Sequence, residues 1–241
     1  MATLFVSDLH LHPSRTAIIA CFLKFLEQQR SRADALYILG DLFESWIGDD
    51  HPEPAYHSVK LALGKCAKAG TPVYLMHGNR DFMLGETFSG ETGCILLPDP
   101  THIDLYGTSA LLMHGDSLCT DDSEYHQVRS RVRDPAWQQQ ARALPVARRL
   151  EIAAQARELS AQSKQGKQEY IMDVNQDEVL RVFEEYQVDL LIHGHTHRPG
   201  SHPLNAGNRK VARIVLGDWY TTGSVLVADA RGRRLETLEC Q

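Results

Sequence analysis

The chain has 241 residues, of which 43% are hydrophobic, so it can bury one sizeable core and is expected to form a single domain over residues 1–241. Its formal net charge of −6 at pH 7 disfavours a surface built to bind nucleic acid. No apolar stretch approaches the roughly 20 residues of a membrane-spanning helix, so we expect no membrane span.

Five short apolar runs have the length and composition expected of buried strands. In chain order they occupy residues 3–6, 35–39, 73–76, 110–113 and 190–192. Amphipathic segments at residues 16–30 and 56–69 predict helices that cover a sheet. Three later runs, at residues 212–216, 224–227 and 235–238, predict short strands of a second sheet packed on the first. The pattern therefore predicts an α/β fold.

A short polar motif follows each of the first five runs. The motifs are Ser7-Asp8-Leu9-His10, Gly40-Asp41, Gly78-Asn79-Arg80-Asp81, His114-Gly115-Asp116 and Gly194-His195-Thr196-His197. Open α/β sheets carry their functional groups at the carboxyl ends of the strands, so we expect these side chains to meet at one rim. Each motif alone is weak, since a single D-x-H is more often a turn and a lone histidine is usually a core residue. Five of them in succession predict a metal site.

The candidate ligands offer carboxylate, amide and imidazole groups but no thiolate. They are Asp8, His10, Asp41, Asn79, His114, His195 and His197. Such a set suits Mn²⁺, Mg²⁺ or Fe²⁺ better than a structural zinc ion. Seven ligands are too many for one ion that must also hold water and substrate. Two ions about 3.5–4 Å apart with a bridging carboxylate would use them all, and we expect Asp41 to be the bridge.

The order D-x-H, G-D, G-N-[HR]-[DE], H and G-H-x-H resembles that of the calcineurin-like metallophosphoesterases, from Asp8 to His197. The resemblance implies a four-layer αββα sandwich and two metal ions, here expected to be Mn²⁺. It also implies two ligand sets that share Asp41. One set is Asp8, His10, Asp41 and His197, and the other is Asp41, Asn79, His114 and His195.

The longer forms of the motifs resemble one branch of that family, which acts in lipid A biosynthesis in Gram-negative bacteria. They include Gly40-Asp41-Leu42-Phe43-Glu44 and Ile192-His193-Gly194-His195-Thr196-His197-Arg198-Pro199. This branch cleaves the pyrophosphate of UDP-2,3-diacylglucosamine into UMP and 2,3-diacylglucosamine 1-phosphate. It implies attack of metal-activated water on the α-phosphorus, with Asp41, Asn79, Arg80 and His195 as catalytic residues.

Two other functions are considered. One is a two-metal phosphodiesterase that acts on another nucleotide or phosphodiester. The other is a binding scaffold that has lost catalysis, which is disfavoured because all seven candidate ligands are present.

Arg80 occupies a position where many members of the family have histidine. Arginine stays charged and cannot act as a general acid near pH 7. A phosphomonoester leaving group, whose second pKa is about 6, needs no proton from the enzyme. Pyrophosphate cleavage therefore fits Arg80 better than phosphoserine hydrolysis does, and bidentate phosphate contact suits its side chain. An ion pair with Asp81 is the structural alternative.

Residues 123–169 lack strand signals and predict a helical insertion with nine basic and five acidic side chains. The insertion follows the His114 strand, so we expect it beside the site. An apolar stripe of Leu144, Ile152, Ala156 and Leu159 would either line a lid for acyl chains or dock the insertion on the core. Arg148, Arg149 and Lys164 are expected to lie largely off this stripe, and Arg148, Arg149 and their neighbours to attract an anionic membrane. The resemblance implies substrate contacts from Asn79, Arg80, Asp122, Ser160, Lys164, Lys167 and His195.

The start of the chain and its cysteines bear on location. Residues 1–6 lack the basic and apolar regions of a signal peptide, which predicts a cytoplasmic protein. The five cysteines are scattered and odd in number, so we expect reduced thiols. With the resemblance, this implies a peripheral enzyme on the cytoplasmic face of the inner membrane. Its expected partners are an acylated UDP-sugar and the membrane surface, with no nucleic acid and no obligate protein partner.

Overall fold

The structure is a computed structural model that describes residues 1–51, 53–164 and 173–240, apart from the side chains at 161, 163 and 164. Its first sheet has six strands in the order β11-β10-β1-β2-β3-β4. These are β1 (Ala2–Val6), β2 (Ala33–Leu39), β3 (Val73–Met76), β4 (Ile95–Leu97), β10 (Thr222–Asp229) and β11 (Gly232–Glu239). Strands β1 to β4 run parallel, and β10 is antiparallel to β1.

The second sheet has five strands in the order β5-β6-β7-β9-β8. These are β5 (Thr101–Leu105), β6 (Thr108–Leu112), β7 (Leu190–His193), β8 (Gly200–Ala206) and β9 (Arg209–Val215). The central strands β6, β7 and β9 are parallel, and both edge strands are antiparallel to their neighbours.

Helices cover the outer face of each sheet. The first sheet is covered by α1 (Thr16–Gln29), α2 (His57–Lys68) and α3 (Glu86–Thr92), and the segment after β6 forms α4 (Ser123–Arg133), α5 (Pro135–Arg142) and α6 (Val146–Lys164). The second sheet is covered by α7 (Gln176–Tyr186). In the described part of the chain, no helix is long and apolar enough to cross a membrane.

The central strands are apolar throughout because both faces of each sheet are covered. Along β1, Leu4 and Val6 pack under the helices of the first sheet, whereas Phe5 points into the core between the two sheets. Along β7, Leu191 packs with α7 and Ile192 enters the core between the sheets. This alternation gives the order helix, sheet, sheet, helix, so the predicted four-layer αββα sandwich is confirmed.

Two details of the predicted sheets are wrong. The second sheet is not built from the three last runs, because β10 and β11 extend the first sheet and only β9 joins the second. The rim that carries the polar motifs belongs to both sheets, since β6 and β7 lie in the second one. An apolar run indicates a strand but not its partner, and for this reason the sequence pattern could not assign the sheets.

The expectation of five reduced thiols is also wrong. Cys21 on α1 and Cys240 after β11 form a disulfide across 219 residues of sequence, while Cys66, Cys94 and Cys119 are buried thiols. The end of β11 lies beside α1 in the fold, and nothing in the spacing of the two cysteines indicates this contact.

Candidate metal centre

The seven predicted ligands lie in the loops that directly follow five strands. Asp8 and His10 follow β1, Asp41 follows β2, Asn79 follows β3, His114 follows β6, and His195 and His197 follow β7. The loops are tied to each other through their main chains, since Asp8 N donates to Gly40 O at 3.1 Å and His10 N donates to Asp41 O at 2.9 Å. The two sheets therefore deliver all seven side chains to one place.

Five of these seven residues have a left-handed backbone. They are Asp8 (φ 54°), His10 (φ 47°), Asp41 (φ 53°), His195 (φ 67°) and His197 (φ 55°). Residues other than glycine rarely adopt this conformation, which costs on the order of 1–3 kcal/mol each in poorly populated regions and clusters at functional sites. The backbone strain is thus concentrated at the candidate ligands.

Two motif glycines allow the loops to approach closely. A Cβ atom at Gly78 would lie 2.0 Å from Asp41 Oδ1, and one at Gly194 would lie 2.3 Å from Asp8 Oδ2. Neither clash can be relieved without moving a candidate ligand. These glycines are therefore required for the shape of the site, which explains their place in the motifs.

One cluster of ligand atoms is formed by Asp8, His10 and His197, whose nearest donor atoms all lie within 4.8 Å of one another. The Nε2 atoms of the two histidines are 3.3 Å apart, and Asp8 Oδ1 lies 3.2 Å from His197 Nε2. Asp41 Oδ2 lies 3.7 Å from His10 Nε2. This is the first of the two ligand sets implied by the family resemblance.

A second cluster lies on the other side of Asp41. Asp41 Oδ1 is 3.9 Å from His114 Nε2. Asn79 Oδ1 is 3.0 Å from His114 Nε2 and 2.9 Å from His195 Nδ1. The second predicted set is thus also brought together.

The two carboxylates differ in how they could be shared. Asp41 turns one oxygen towards each cluster. Asp8 also lies within reach of both, but its Oδ2 is occupied by Ser7 Oγ at 2.6 Å and by His195 N at 2.8 Å. Asp8 Oδ2 thus already accepts two hydrogen bonds, whereas Asp41 Oδ1 accepts one, from Arg80 N, so the geometry favours Asp41 as the shared ligand.

The donor set fits divalent cations. Asp8 and Asp41 are buried, and among the residues that the structure describes no lysine or arginine side chain lies within 4.0 Å of either carboxylate. Buried carboxylates are costly unless positive charge compensates them, and without a metal ion that charge must come from protonated imidazoles such as His114. The surrounding imidazoles supply the remaining donors that such ions accept.

Burial and mutual charge shift the pKa values of these groups. Burial would raise the pKa of Asp8, yet the hydrogen bond with His197 and the charge of His114 hold it well below its ordinary value. Burial alone would lower the pKa of His114, but the surrounding carboxylates, first of all Asp41, raise it to about 9. Burial and the charge of His114 lower the pKa of His195 to about 3. Because metal ions bind deprotonated imidazole, metal binding here is expected to release a proton.

Arg80 lies beside this site in the loop after β3, where its backbone N donates to Asp41 Oδ1 at 2.8 Å. The alternative ion pair with Asp81 is not formed within the described residues. Asp81 is fully buried and instead accepts from the backbone N–H groups of Leu42 at 2.7 Å and Gly78 at 2.8 Å. Asp81 therefore fixes the loops, and the guanidinium of Arg80 is left for another partner.

The predicted substrate contacts on the helical segment have mixed outcomes. Asp122 caps α4 by accepting from Tyr125 N at 3.1 Å. Ser160 lies on α6 and is partly exposed. The side chain of Lys164 and the whole of Lys167 lie outside the described residues, so both contacts stay predictions.

The prediction that Arg149 helps to attract a membrane surface is wrong. Its side chain is buried, and Nη1 donates to Ile47 O at 2.6 Å and to Asp50 Oδ1 at 2.7 Å. Arg148 is exposed as expected and pairs with Glu151 on its own helix. The two adjacent arginines point in directions about 100° apart on α6, and sequence composition alone could not say which one is buried.

Several residues near the ligands were missed by sequence reasoning. Glu44 Oε2 lies 3.1 Å from His10 Nδ1, and the ring of Tyr220 stacks on that of His10 at 5.3 Å. Asp218 Oδ2 lies 3.6 Å from His197 Nδ1. Glu44 belongs to the motif after β2, so a signal existed, whereas nothing in the sequence singled out Asp218 or Tyr220.

Comparison with known proteins identifies the family of the chain. Residues 1–199 match the model of the calcineurin-like phosphoesterase family, and the chain belongs to that family. A solved archaeal phosphodiesterase superposes on this chain with a TM-score of 0.52 at 12% identity, and the match covers 99% of this chain and 100% of that one. At this identity the similarity shows the fold alone.

Full-length relatives are more similar. A protein of Xanthomonas axonopodis pv. citri named UDP-2,3-diacylglucosamine hydrolase is 55% identical over 245 residues, with 99% of each chain covered. A protein of the same name from Stenotrophomonas maltophilia is 54% identical over 245 residues, again with 99% of each chain covered.

Proposed function

We propose that this chain is a metal-dependent hydrolase that cleaves the pyrophosphate bond of UDP-2,3-diacylglucosamine in lipid A biosynthesis. The products are UMP and 2,3-diacylglucosamine 1-phosphate. The observation that carries the chemistry is the convergence of seven metal-ligating side chains, from two sheets, around Asp41. The choice of substrate is supported by full-length relatives that carry the name of this activity.

The metal centre is proposed to hold two Mn²⁺ ions, for which Mg²⁺ or Fe²⁺ could substitute. Asp8, His10 and His197 would hold one ion, Asn79, His114 and His195 the other, and Asp41 both. Two such ions lower the pKa of bound water and clamp the attacking and leaving oxygens of a phosphoryl transfer.

Residues beside the metal centre are proposed to handle the charge of the substrate. The amide of Asn79 and the imidazole of His195 lie together at 2.9 Å and would contact the phosphate that is attacked. The guanidinium of Arg80, which Asp81 does not engage, would bind phosphate oxygens and hold their developing charge. Water attacks the α-phosphorus in line, and the sugar phosphate leaves without needing a proton.

The helical segment α4–α6 is proposed to be the lid that holds the acyl chains, as an insertion over residues 123–169. Its side chains include exposed apolar residues, with Leu159 exposed by 65% and Leu150 by 44%. Such residues suit lipid contact better than packing on the core. Asp122, Ser160, Lys164 and Lys167 would contact the substrate, and the enzyme would act on the cytoplasmic face of the inner membrane.

The proposal is tested by incubating the purified protein with MnCl₂ and a substrate panel. The panel contains UDP-2,3-diacylglucosamine, its deacylated analogue, a cyclic nucleotide and a generic phosphodiester. We expect cleavage of the acylated nucleotide to be the fastest. Preferred cleavage of the cyclic nucleotide or the generic diester would instead identify a general phosphodiesterase.

The position of attack is tested separately in ¹⁸O-labelled water. Attack on the α-phosphorus places the label in UMP. Label in the sugar phosphate would contradict the proposed direction of attack while leaving the substrate assignment intact.

A further inference from the structure

Both ring nitrogens of His10 lie close to polar groups of other residues. Its Nε2 points into the first ligand cluster, 3.3 Å from His197 Nε2 and 3.7 Å from Asp41 Oδ2. Its Nδ1, on the opposite side of the ring, lies 3.1 Å from Glu44 Oε2. Metal-binding histidines commonly donate their second N–H to a carboxylate, which fixes the tautomer and makes the ligating nitrogen more basic.

The main chain fixes the place of Glu44. The loops after β1 and β2 pair through Leu11 N to Leu42 O at 3.0 Å and through Glu44 N to Leu11 O at 3.0 Å. Leu11 and Phe43 form an isolated parallel β-bridge between the two loops, and Glu44 follows directly after it. Its side chain is only 23% exposed, and its Oε2 lies 3.1 Å from the imidazole.

Other partners do not account for the position of this carboxylate. Within the described residues, His10 is the one basic residue whose side chain lies within 4.0 Å of the Glu44 carboxylate. Neither Arg80 nor Arg157 forms an ion pair with Glu44 at this distance. Tyr220 adds a second restraint, because its ring stacks on the imidazole with an angle of 10° between the planes. The imidazole of His10 is thus covered on one face by Tyr220 and lies beside the carboxylate of Glu44 at its Nδ1 edge.

The other histidines of the centre are supported differently. His197 Nδ1 faces Asp218 Oδ2 at the longer distance of 3.6 Å, and His114 Nδ1 faces the carbonyl oxygen of Leu39 at 2.8 Å. A neutral carbonyl raises the basicity of an imidazole less than a carboxylate does. The two clusters therefore differ in the support of their imidazoles, and Glu44 supplies the closest carboxylate.

We infer that Glu44 is a positioning residue that holds His10 as a ligand of the first ion, by accepting its Nδ1–H and directing its Nε2 at the metal. This inference rests on the proposed metal-dependent function and assigns Glu44 a role within that site. Glu44 would therefore raise the affinity for the ion held by Asp8, His10 and His197, and would change the affinity for the ion near His114 only weakly.

The test is isothermal titration of the metal-free full-length protein with MnCl₂, followed by activity as a function of Mn²⁺ concentration. Glu44→Ala is expected to weaken one Mn²⁺ binding event by about 10–100-fold and to leave the other nearly unchanged. Glu44→Gln keeps an oxygen that accepts the Nδ1–H, so it should weaken the same event by only several-fold. Excess Mn²⁺ should restore the activity of both variants.

Two control variants separate this role from general effects. Glu86→Ala removes an exposed acid on α3 and should bind Mn²⁺ as the wild type does. Asp218→Ala should have a smaller effect than Glu44→Ala, because its contact with His197 is longer. Should Glu44→Ala fail to fold, the several-fold loss expected for Glu44→Gln decides the question alone.

The outcomes distinguish the inference from the function on which it rests. A wild-type protein that binds no Mn²⁺ would contradict the proposed metal centre itself. Wild-type binding with unchanged affinity in Glu44→Gln and in any folded Glu44→Ala would overturn the positioning role alone. A raised KM for the nucleotide at saturating Mn²⁺, with unchanged metal affinity, would also overturn it and assign Glu44 to substrate contact.

Discussion

The ligand-bearing loops and the helical segment α4–α6 are held in place by different kinds of interaction. The loops are fixed by their main chains, with left-handed residues, motif glycines and hydrogen bonds from loop to loop. Neither α4 nor α5 contains a buried residue. The segment is instead attached by long side chains, in which Arg149 contacts Asp50, Arg129 contacts Asp116, and Arg133 donates to the carbonyl oxygen of Gly78.

This difference predicts how each region responds to substitution. Main-chain restraints act on several ligands together, so a change in the loops should affect metal binding and all substrates alike. Side-chain attachments act one at a time, so a change in the helices should affect only what those helices contact. Four substitutions, taken from the largest expected effect to the smallest, test this distinction.

The largest effect is expected from Asp41→Ala. Because Asp41 faces both clusters, its loss should deplete both ions and abolish activity on every substrate. Metal analysis of the purified protein, together with turnover at saturating Mn²⁺, measures this. His197→Ala is the matched control, since it contacts one cluster and should leave the second ion bound. Two tightly bound ions and normal turnover in Asp41→Ala would contradict the shared ligand.

A smaller effect is expected from Arg80→Ala. Removing one preorganised group that stabilises charge costs about 10²–10³-fold in kcat. The fold and the metal content should not change, because Asp81, rather than Arg80, holds the loops together. Kinetics on the nucleotide and metal analysis of the same sample test both statements. Rates close to those of the wild type would show that Arg80 does not contact the reacting phosphate.

The loops are also the part of the molecule that the sequence predicts well. The motifs after the five strands contain the candidate ligands, and Gly78 and Gly194, in the motifs after β3 and β7, mark where backbones approach too closely for a side chain. Such main-chain requirements restrict the residue type at a position, so they leave a pattern that can be read without a structure. All seven predicted ligands are found together for this reason.

The parts that the sequence did not predict depend on partners far away along the chain. Arg149 and Arg148 are identical neighbours, yet only Arg149 reaches Asp50 across about a hundred positions. The contact of Glu44 with His10 and the disulfide of Cys21 are of the same kind. A side chain that meets a distant partner needs no particular local spacing, so its role follows only from the fold.

The third prediction tests the acyl-binding role of the helical segment. Leu159 is 65% exposed, so Leu159→Ser should fold normally. If acyl chains contact it, the KM for the acylated substrate should rise by roughly tenfold, since each buried methylene contributes about 0.8 kcal/mol. The deacylated analogue should react as before. Leu61→Ser, at a 53% exposed leucine on α2, is the matched control and should change neither substrate. Equal losses on both substrates would count against a lid.

The smallest effect is expected from Arg149→Ala, which breaks the attachment of α6 without touching a candidate ligand. The guanidinium of Arg149 passes close to Gly48. A Cβ atom at Gly48 would lie 2.4 Å from Arg149 Nη1, so the glycine leaves the space that the guanidinium occupies. Its loss should expose the amides of α6 to faster hydrogen exchange and raise the KM for the acylated substrate a few-fold. Metal content and the rate on the deacylated analogue should stay unchanged.

Arg148→Ala is the matched control for this last test, because Arg148 is the adjacent arginine and, among the residues that the structure describes, pairs with Glu151 of the same helix. Exposed ion pairs of this kind contribute little to stability, so exchange and kinetics should match the wild type. Faster amide hydrogen exchange of α6 in both variants would mean that the stability of this helix depends on its own ion pairs rather than on the contact of Arg149 with Asp50. A loss of metal in Arg149→Ala would show that the helices and the loops are one cooperative unit. In that case the separation between main-chain and side-chain restraint would not hold at this site.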